Sequence, residues 1–364
     1  MLSSVKTASL WGLEGHLVEV EIDVSRGLPS WNVVGLGDKT IREAAERIKA
    51  AMSNSGFQYP RQRITVNLAP AGKPKAGTHF DLPIAIGLMA ASGGLDPGAA
   101  AGYAFIGELS LGGGLSRVRG VLPLVTTCAD AGISRVILPG ANAEEASMVK
   151  GIEVYAADDL TQVLAHLRGE SKMEPYGHRG LKQDAGIAGG VDFDDIWGQD
   201  AAKRAMVICA AGCHGLLMIG PPGTGKSLMA GRLPSILPPL TYREQMEVTR
   251  IYSVAGLLDD DQPVITRRPF RAPHQNVTMA AMFGGGARPV PGEFSLAHTG
   301  VLFTGESPYF QQSKVEKAAE TAETRAFWAS GLLPYGKGRW DARPGLEICT
   351  TGWGEYVTRY VANI

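Results

Sequence analysis

The chain has 364 residues, 45% hydrophobic and 20% charged, with a formal net charge of -1. That is enough material for two domains with sizeable cores, and it excludes a global basic field, so any nucleic-acid site has to be local. Residues 1–6 lack the apolar core of a signal peptide, and every long apolar run is interrupted by Gly, Pro, His or charge; a cytoplasmic protein without a membrane partner is expected.

Residues 1–167 read as an α/β domain with mixed connections. Over 16–24, Val18, Val20, Ile22 and Val24 alternate with Leu17, Glu19, Glu21 and Asp23, which predicts a half-buried strand. A second strand follows over 30–36. Asp38 has the position of an N-cap, and Ile41, Ala44, Ala45, Ile48 and Met52 form the stripe of a helix ending near Gly56. Strands are expected over 63–68, 103–111 and 136–138, with helices over 82–91, 122–131 and 160–167. Residues 168–190 lose apolar periodicity and carry Pro175, Gly177, Gly180, Gly186, Gly189 and Gly190, the composition of a linker.

The second domain spans 191–306. A helix over 201–211 leads to the apolar strand 215–219, and then to Gly220-Pro221-Pro222-Gly223-Thr224-Gly225-Lys226-Ser227. This stretch satisfies G-x-x-x-x-G-K-[ST] and is followed by a helical pattern, Leu228 to Leu233. Strand, glycine loop and helix start form the setting in which backbone N–H groups cradle a phosphate chain. Lys226 then serves the terminal phosphates and the Ser227 hydroxyl a Mg²⁺ ion, which makes ATP and Mg²⁺ the expected cofactors. Thr241-x-x-Glu244 is a capping box and predicts a helix over 242–253. Arg267, Arg268 and Arg271 lie in a short basic, proline-interrupted loop that either contacts DNA phosphates or forms a packed turn. Residues 300–303 are a final buried strand. Cys128, Cys209, Cys213 and Cys349 lack metal-site spacing; reduced core thiols are expected, ahead of a metal corner at Cys209, Cys213 and His214.

Two blocks carry a family resemblance. Asp195-Ile196-Trp197-Gly198-Gln199 with Ala202-Lys203-Arg204-Ala205, followed by the phosphate loop, resembles the magnesium-chelatase-like group of AAA+ ATPases. So do Arg268-Pro269-Phe270-Arg271-Ala272-Pro273-His274, Gly284-Gly285-Gly286 and Pro291-Gly292-Glu293-Phe294-Ser295-Leu296-Ala297-His298. Earlier in the chain, Val33-Val34-Gly35-Leu36, Asn67-Leu68-Ala69-Pro70, Phe80-Asp81-Leu82-Pro83-Ile84-Ala85 and Gly107-Glu108-Leu109-Ser110-Leu111 resemble the N-terminal domain of the competence protein ComM (YifB) family. The resemblance covers about residues 1–303. It implies a Lon-protease-like (ribosomal protein S5 domain 2-like) domain before a P-loop AAA+ domain that is expected to be incomplete. It further implies self-association in a hexameric ring, and branch migration or helicase action on single-stranded or branched DNA during natural transformation. A chelatase-type chaperone or regulatory assembly protein that remodels a protein partner is the alternative.

A Lon-like domain also raises peptide hydrolysis. The loop that resembles the serine-bearing loop reads Pro74-Lys75-Ala76-Gly77-Thr78-His79, with His79 near the serine position, and 121–124 supplies no lysine partner. Without a Ser–Lys pair the acyl-enzyme route has no nucleophile, so the domain is not expected to be a protease. In the ATPase domain, Gly305 stands where the family's Mg²⁺-organising Asp would be, while Glu306 aligns with the residue that activates water. Hydrolysis is therefore expected to be weaker than binding. Residues 307–364 show no further resemblance and are left unassigned, as a divergent, truncated or frame-displaced ending.

Overall fold

The computed structural model describes residues 1–177, 192–221, 223–274, 277–286, 289–304, 346–351 and 359–363. The chain divides into one unit of Met1–Gly180 with Ser253–Val264 and another of Leu181–Tyr252 with Ile265–Ile364. Both are α/β.

The first unit contains strands β1 (Leu2–Trp11), β2 (Glu14–Ser25), β3 (Ser30–Val34), β4 (Arg63–Ala69), β5 (Tyr103–Phe105), β6 (Glu108–Leu109), β7 (Leu115–Ser116), β8 (Arg135–Pro139) and β9 (Glu153–Ala157). Seven of them form a mixed sheet in the order β3-β4-β2-β1-β5-β8-β9, and β6 pairs with β7. The alternation in β2 is realised: Val18, Val20, Ile22 and Val24 are buried and Glu19 is exposed. Periodicity does not announce β1, although it pairs with β2 from Leu2↔Asp23 to Trp11↔Glu14. Its buried positions include Ser3, Thr7 and Ser9, whose hydroxyls hide the pattern. Ser3 satisfies its own by donating to the Gly87 carbonyl at 2.7 Å.

The strand expected over 103–111 is instead broken. Gly107 leaves the sheet and donates its N–H to the His79 carbonyl at 3.1 Å. A Cβ there would stand 2.9 Å from Leu115 Cδ2, so a side chain does not fit without a shift.

The helices of this unit are α1 (Lys39–Arg42), α2 (Ala44–Asn54), α3 (Asp81–Ala91), α4 (Val121–Asp130), α5 (Ala143–Ala146) and α6 (Leu160–Leu167). Asp38 caps α1 as expected, accepting from Ile41 N–H at 2.9 Å. Every residue of α3 is buried, and each of Leu82, Ile84, Ile86 and Leu88 is 0% exposed, a contribution of about 2 kcal/mol per side chain. Asp81 belongs to the same buried helix. Arg47 grips it with two bonds, Nε to Oδ2 at 2.8 Å and Nη2 to Oδ1 at 2.9 Å. Burial raises its carboxyl to about 6 against the pull of Arg47.

Asn142, 0% exposed, holds both backbone groups of Val118. Its Oδ1 accepts the Val118 N–H at 2.9 Å and its Nδ2 donates to the Val118 carbonyl at 2.9 Å. Beside it, the buried Glu145 accepts the Leu122 N–H at 2.9 Å and the Ser253 hydroxyl.

In the second unit lie α7 (Asp200–Gly212), β10 (Gly215–Ile219), α8 (Lys226–Arg232), α9 (Tyr242–Ala255, to Tyr252 in this unit), β11 (Phe270–Arg271), α10 (Met279–Phe283), α11 (Glu293–Leu296), β12 (Val301–Thr304), β13 (Leu346–Thr351) and β14 (Arg359–Asn363). The sheet order is β11-β12-β13-β10-β14, with β10 parallel to β14 and antiparallel to β13. Its core joins Met206 and Cys209 of α7, Leu216 and Met218 of β10, Met229 of α8, and Val301 and Phe303 of β12. The capping box at α9 is made: Thr241 N–H donates to Glu244 at 2.8 Å and Glu244 N–H returns to the Thr241 hydroxyl at 3.3 Å. Among the described residues no helix is long and apolar enough to cross a membrane.

Candidate nucleotide-binding site

Between β10 and α8 the chain turns through Gly220–Gly225. Gly223 and Gly225 have φ of +84° and +90°, backbone that L side chains rarely adopt. No atom lies within 4 Å of a Cβ built on either, so the path of the backbone, not crowding, demands glycine. The loop closes on itself through the Thr224 hydroxyl, which donates to the Pro221 carbonyl at 3.0 Å. Pro222 lies outside the described residues.

Lys226 opens α8 and is 2% exposed. Its ammonium donates to the carbonyls of Gly220 at 3.0 Å and Pro221 at 2.9 Å. These are neutral partners, so the buried cation retains a full charge for an anion held by the loop. Ser227, the next residue, is exposed on the first turn. Glycines with the required backbone, a cation inside the curl and an accessible hydroxyl beside it fit a nucleotide phosphate chain and its Mg²⁺.

The remainder of α8 is anchored. Met229 and Ala230 join the core that also takes Ile196, 3% exposed. Arg232 Nε lies 3.9 Å from Asp195 Oδ2. The Asp195-to-Gln199 block thus folds against the helix that carries the loop, leaving Trp197 92% exposed.

The basic loop requires a correction. Arg268 does not face outward: its side chain is 2% exposed. It donates Nε to the Pro238 carbonyl at 2.5 Å and Nη1 to the Thr299 carbonyl at 2.6 Å, with Glu244 at 3.5 Å. Burial pushes the guanidinium below its ordinary value. Arg271 makes a two-pronged pair with Glu293, at 2.7 and 2.6 Å. Both arginines hold the fold together, and Arg267 is partly exposed. Gly305 and Glu306, just beyond β12, lie outside the described residues, as do residues 307–345.

In the first unit, His79 is 6% exposed and contacts the Ala8 carbonyl through Nε2 at 3.0 Å. Burial lowers it to about 4, which leaves a neutral ring bonded to backbone. Lys75, which sequence patterning does not single out, is 1% exposed, and its ammonium donates to the carbonyls of Gly35 at 3.1 Å and Pro70. Among the described residues no group of three or more His, Cys, Asp or Glu is placed to hold a metal ion. Cys209 is a buried thiol pushed up to about 11.

Comparison with known proteins adds two family models. One, described as magnesium chelatase, subunit ChlI, matches residues 192–327; the other, subunit ChlI of Mg-chelatase, matches 20–142. The first match continues past 303, into the stretch that sequence patterning leaves unassigned. The chain is 42% identical over 328 residues to competence protein ComM of Haemophilus influenzae, covering 89% of this chain and 64% of that one. It is 41% identical over 324 residues to YifB of Salmonella typhimurium, covering 89% and 63%. Against the Mycobacterium tuberculosis protein Rv2897c it is 41% identical over 328 residues, covering 89% and 65%. The chain therefore spans less than two thirds of the length of each of these relatives.

Proposed function

As a ComM-like and YifB-like member of the magnesium-chelatase ChlI family, the chain is one that we propose to be an ATP-binding AAA+ motor protein acting on DNA. The observation that supports this best is the strand–loop–helix of β10, Gly220 to Ser227 and α8, with the Lys226 ammonium inside the curl. The backbone N–H groups of Gly220, Gly223, Thr224 and Gly225, in the segment that also contains Pro221 and Pro222, would hold the phosphate chain, and Lys226 would balance the charge on its terminal phosphates. Ser227 would hold Mg²⁺, which when bound supplies charge neutralisation at the phosphates. Glu306 is the candidate to orient water.

On this reading residues 191–306 are the AAA+ domain. Residues 1–167 are a Lon-like domain without the Ser–Lys pair, used for assembly or DNA contact rather than peptide cleavage, and 168–190 connect them. The name of the Haemophilus relative supports a role in competence. The reaction proposed is branch migration or helicase action on single-stranded or branched DNA during natural transformation, by a cytoplasmic ring of several copies, six by family resemblance. With Gly305 in place of Asp, ATP is held better than it is hydrolysed.

The test is ATP turnover and strand displacement on a labelled branched DNA, with and without ATP. DNA-stimulated turnover or ATP-dependent displacement supports the reading. Turnover that responds only to a protein partner favours a chelatase-type remodelling protein instead.

A further inference from the structure

With Arg268 and Arg271 committed to internal bonds, a DNA-acting chain needs basic groups elsewhere. The first unit supplies them at one end of its sheet. β4 lies between β2 and β3, and Arg63 at its start is in register with both Ser25, the last residue of β2, and Ser30, the first of β3. The connection from β2 to β3, residues 26–29, therefore has to cross the entry of β4. That crossing brings Arg26 to the same end as Arg61 and Arg63. The close approach is visible at Gly27, where an added Cβ would lie 3.8 Å from Arg63 Cβ and 4.0 Å from its Nε.

All three arginines are exposed, and none makes an ion pair or side-chain hydrogen bond among the described residues. The nearest carboxylate in the register, Asp23, lies two positions along β2 and faces the Met1 ammonium at 3.9 Å. Leu28, at the tip of the crossing loop, is 87% exposed. A sheet end that carries three guanidinium groups with no carboxylate partner among the described residues, and the exposed Leu28 in the same loop as Arg26, matches a polyanion that also offers an apolar face. Duplex DNA presents the charge but keeps its base faces stacked inside; a single strand presents both.

We propose that Arg26, Arg61 and Arg63, with Leu28 of the loop that carries Arg26, form a contact surface for the backbone of single-stranded DNA. The assignment rests on the reading of this chain as a DNA-acting protein. The contacts are to phosphate, so they position the strand and carry no sequence preference.

The experiment is fluorescence anisotropy of a labelled oligothymidylate of about thirty nucleotides, titrated with the full chain from about 50 to 200 mM salt. Wild type is compared with the triple variant Arg26→Ala, Arg61→Ala, Arg63→Ala and with the corresponding triple Lys variant. Each phosphate contact contributes about 0.7 to the log–log salt slope on a single strand, so the Ala variant is expected to lose about 2 units of slope and tenfold or more in affinity. The Lys variant should keep most of the slope. Binding of a fluorescent ATP analogue and the thermal midpoint should be unchanged in both, because the replaced side chains make no hydrogen bond or ion pair among the described residues. Equal slopes in wild type and Ala variant, with wild-type binding intact, would overturn this surface alone. No oligonucleotide binding by wild type would overturn the DNA reading and this surface with it. Loss of self-association by the Ala variant, with DNA binding kept, would overturn the assignment in favour of a protein contact.

Discussion

Arg268 donates Nη1 to the Thr299 carbonyl at 2.6 Å, tying the approach to β11 to the approach to β12. Gly300, next along, packs so closely that a Cβ would stand 2.0 Å from the Pro269 carbonyl oxygen, and Val301 N–H donates to that same oxygen at 2.7 Å. Removing the guanidinium takes the donor from the carbonyl of the buried Thr299 and from that of Pro238, and leaves Glu244 without its arginine. Arg268→Ala is therefore expected to destabilise the second unit by about 3 kcal/mol. Arg268→Lys should recover little, since one ammonium does not replace a planar fork. Urea unfolding checks this, and unaltered stability in the Ala variant would show that the arginine is not a structural tie.

Lys226→Ala removes the one cation inside the phosphate loop while leaving the glycine backbone in place. Charge-assisted bonds of this kind contribute about 1.5–3 kcal/mol, so affinity for a fluorescent ATP analogue should fall about tenfold to a hundredfold. The measurement is a direct titration in the presence of Mg²⁺. Equal affinity in variant and wild type would remove the loop from the nucleotide site.

His79 supplies a pH test. Unfolded, it titrates near its ordinary 6.5; folded, burial holds it near 4. Between those values the unfolded chain binds a proton that the folded chain refuses, so stability present above pH 6.5 is lost as the pH falls towards 4, by roughly 3 kcal/mol in all. Asp81 works in the opposite sense. Its folded value is raised to about 6 from 3.8, so acidification through that window favours the folded state. His79→Gln deletes only the first effect. The acid-induced loss of stability should then flatten or reverse, read from urea midpoints at about pH 7 and pH 4.5. A parallel decline in wild type and variant would show that the ring is not the neutral, buried group described. No casein cleavage is expected from the full chain, since a neutral His bonded to a backbone carbonyl is no serine nucleophile.

Gly305→Asp tests the balance of binding and hydrolysis. Binding depends on the loop, Lys226 and the helix start; turnover also requires the metal held in register, for which a carboxylate beside Ser227 is needed. The Asp variant is expected to hydrolyse ATP at least several times faster than the natural chain, with analogue affinity little changed. Steady-state phosphate release decides the matter. Rapid DNA-stimulated turnover by the unmodified chain would refute the claim that Gly305 impairs it.

The phosphate loop was legible because its chemistry is local: strand, two glycines at φ near +90°, lysine and hydroxyl fall within consecutive residues. β2 was legible because its inward residues are all β-branched and its outward ones mostly acidic. β1 was not, since its inward positions carry Ser3, Thr7 and Ser9, and only tertiary pairing with β2 shows them buried. The fate of Arg268 was equally hidden. Three arginines in five residues look like a charged surface, and the carbonyls that capture one of them come from residues about 30 positions away on either side. Arg26, Arg61 and Arg63 show the converse, being unremarkable in sequence and gathered only by the sheet order.

Asn142 narrows what the chain tolerates at that position. It answers both the N–H and the C=O of Val118 with one planar group, as a neighbouring strand would. A replacement must offer a donor and an acceptor side by side, with no room to spare at 0% exposure. Asp has the shape but sets oxygen against oxygen at the Val118 carbonyl and adds a second carboxyl beside Glu145. Gln has the group but carries one methylene too many. The twenty amino acids leave this position, in effect, a vocabulary of one.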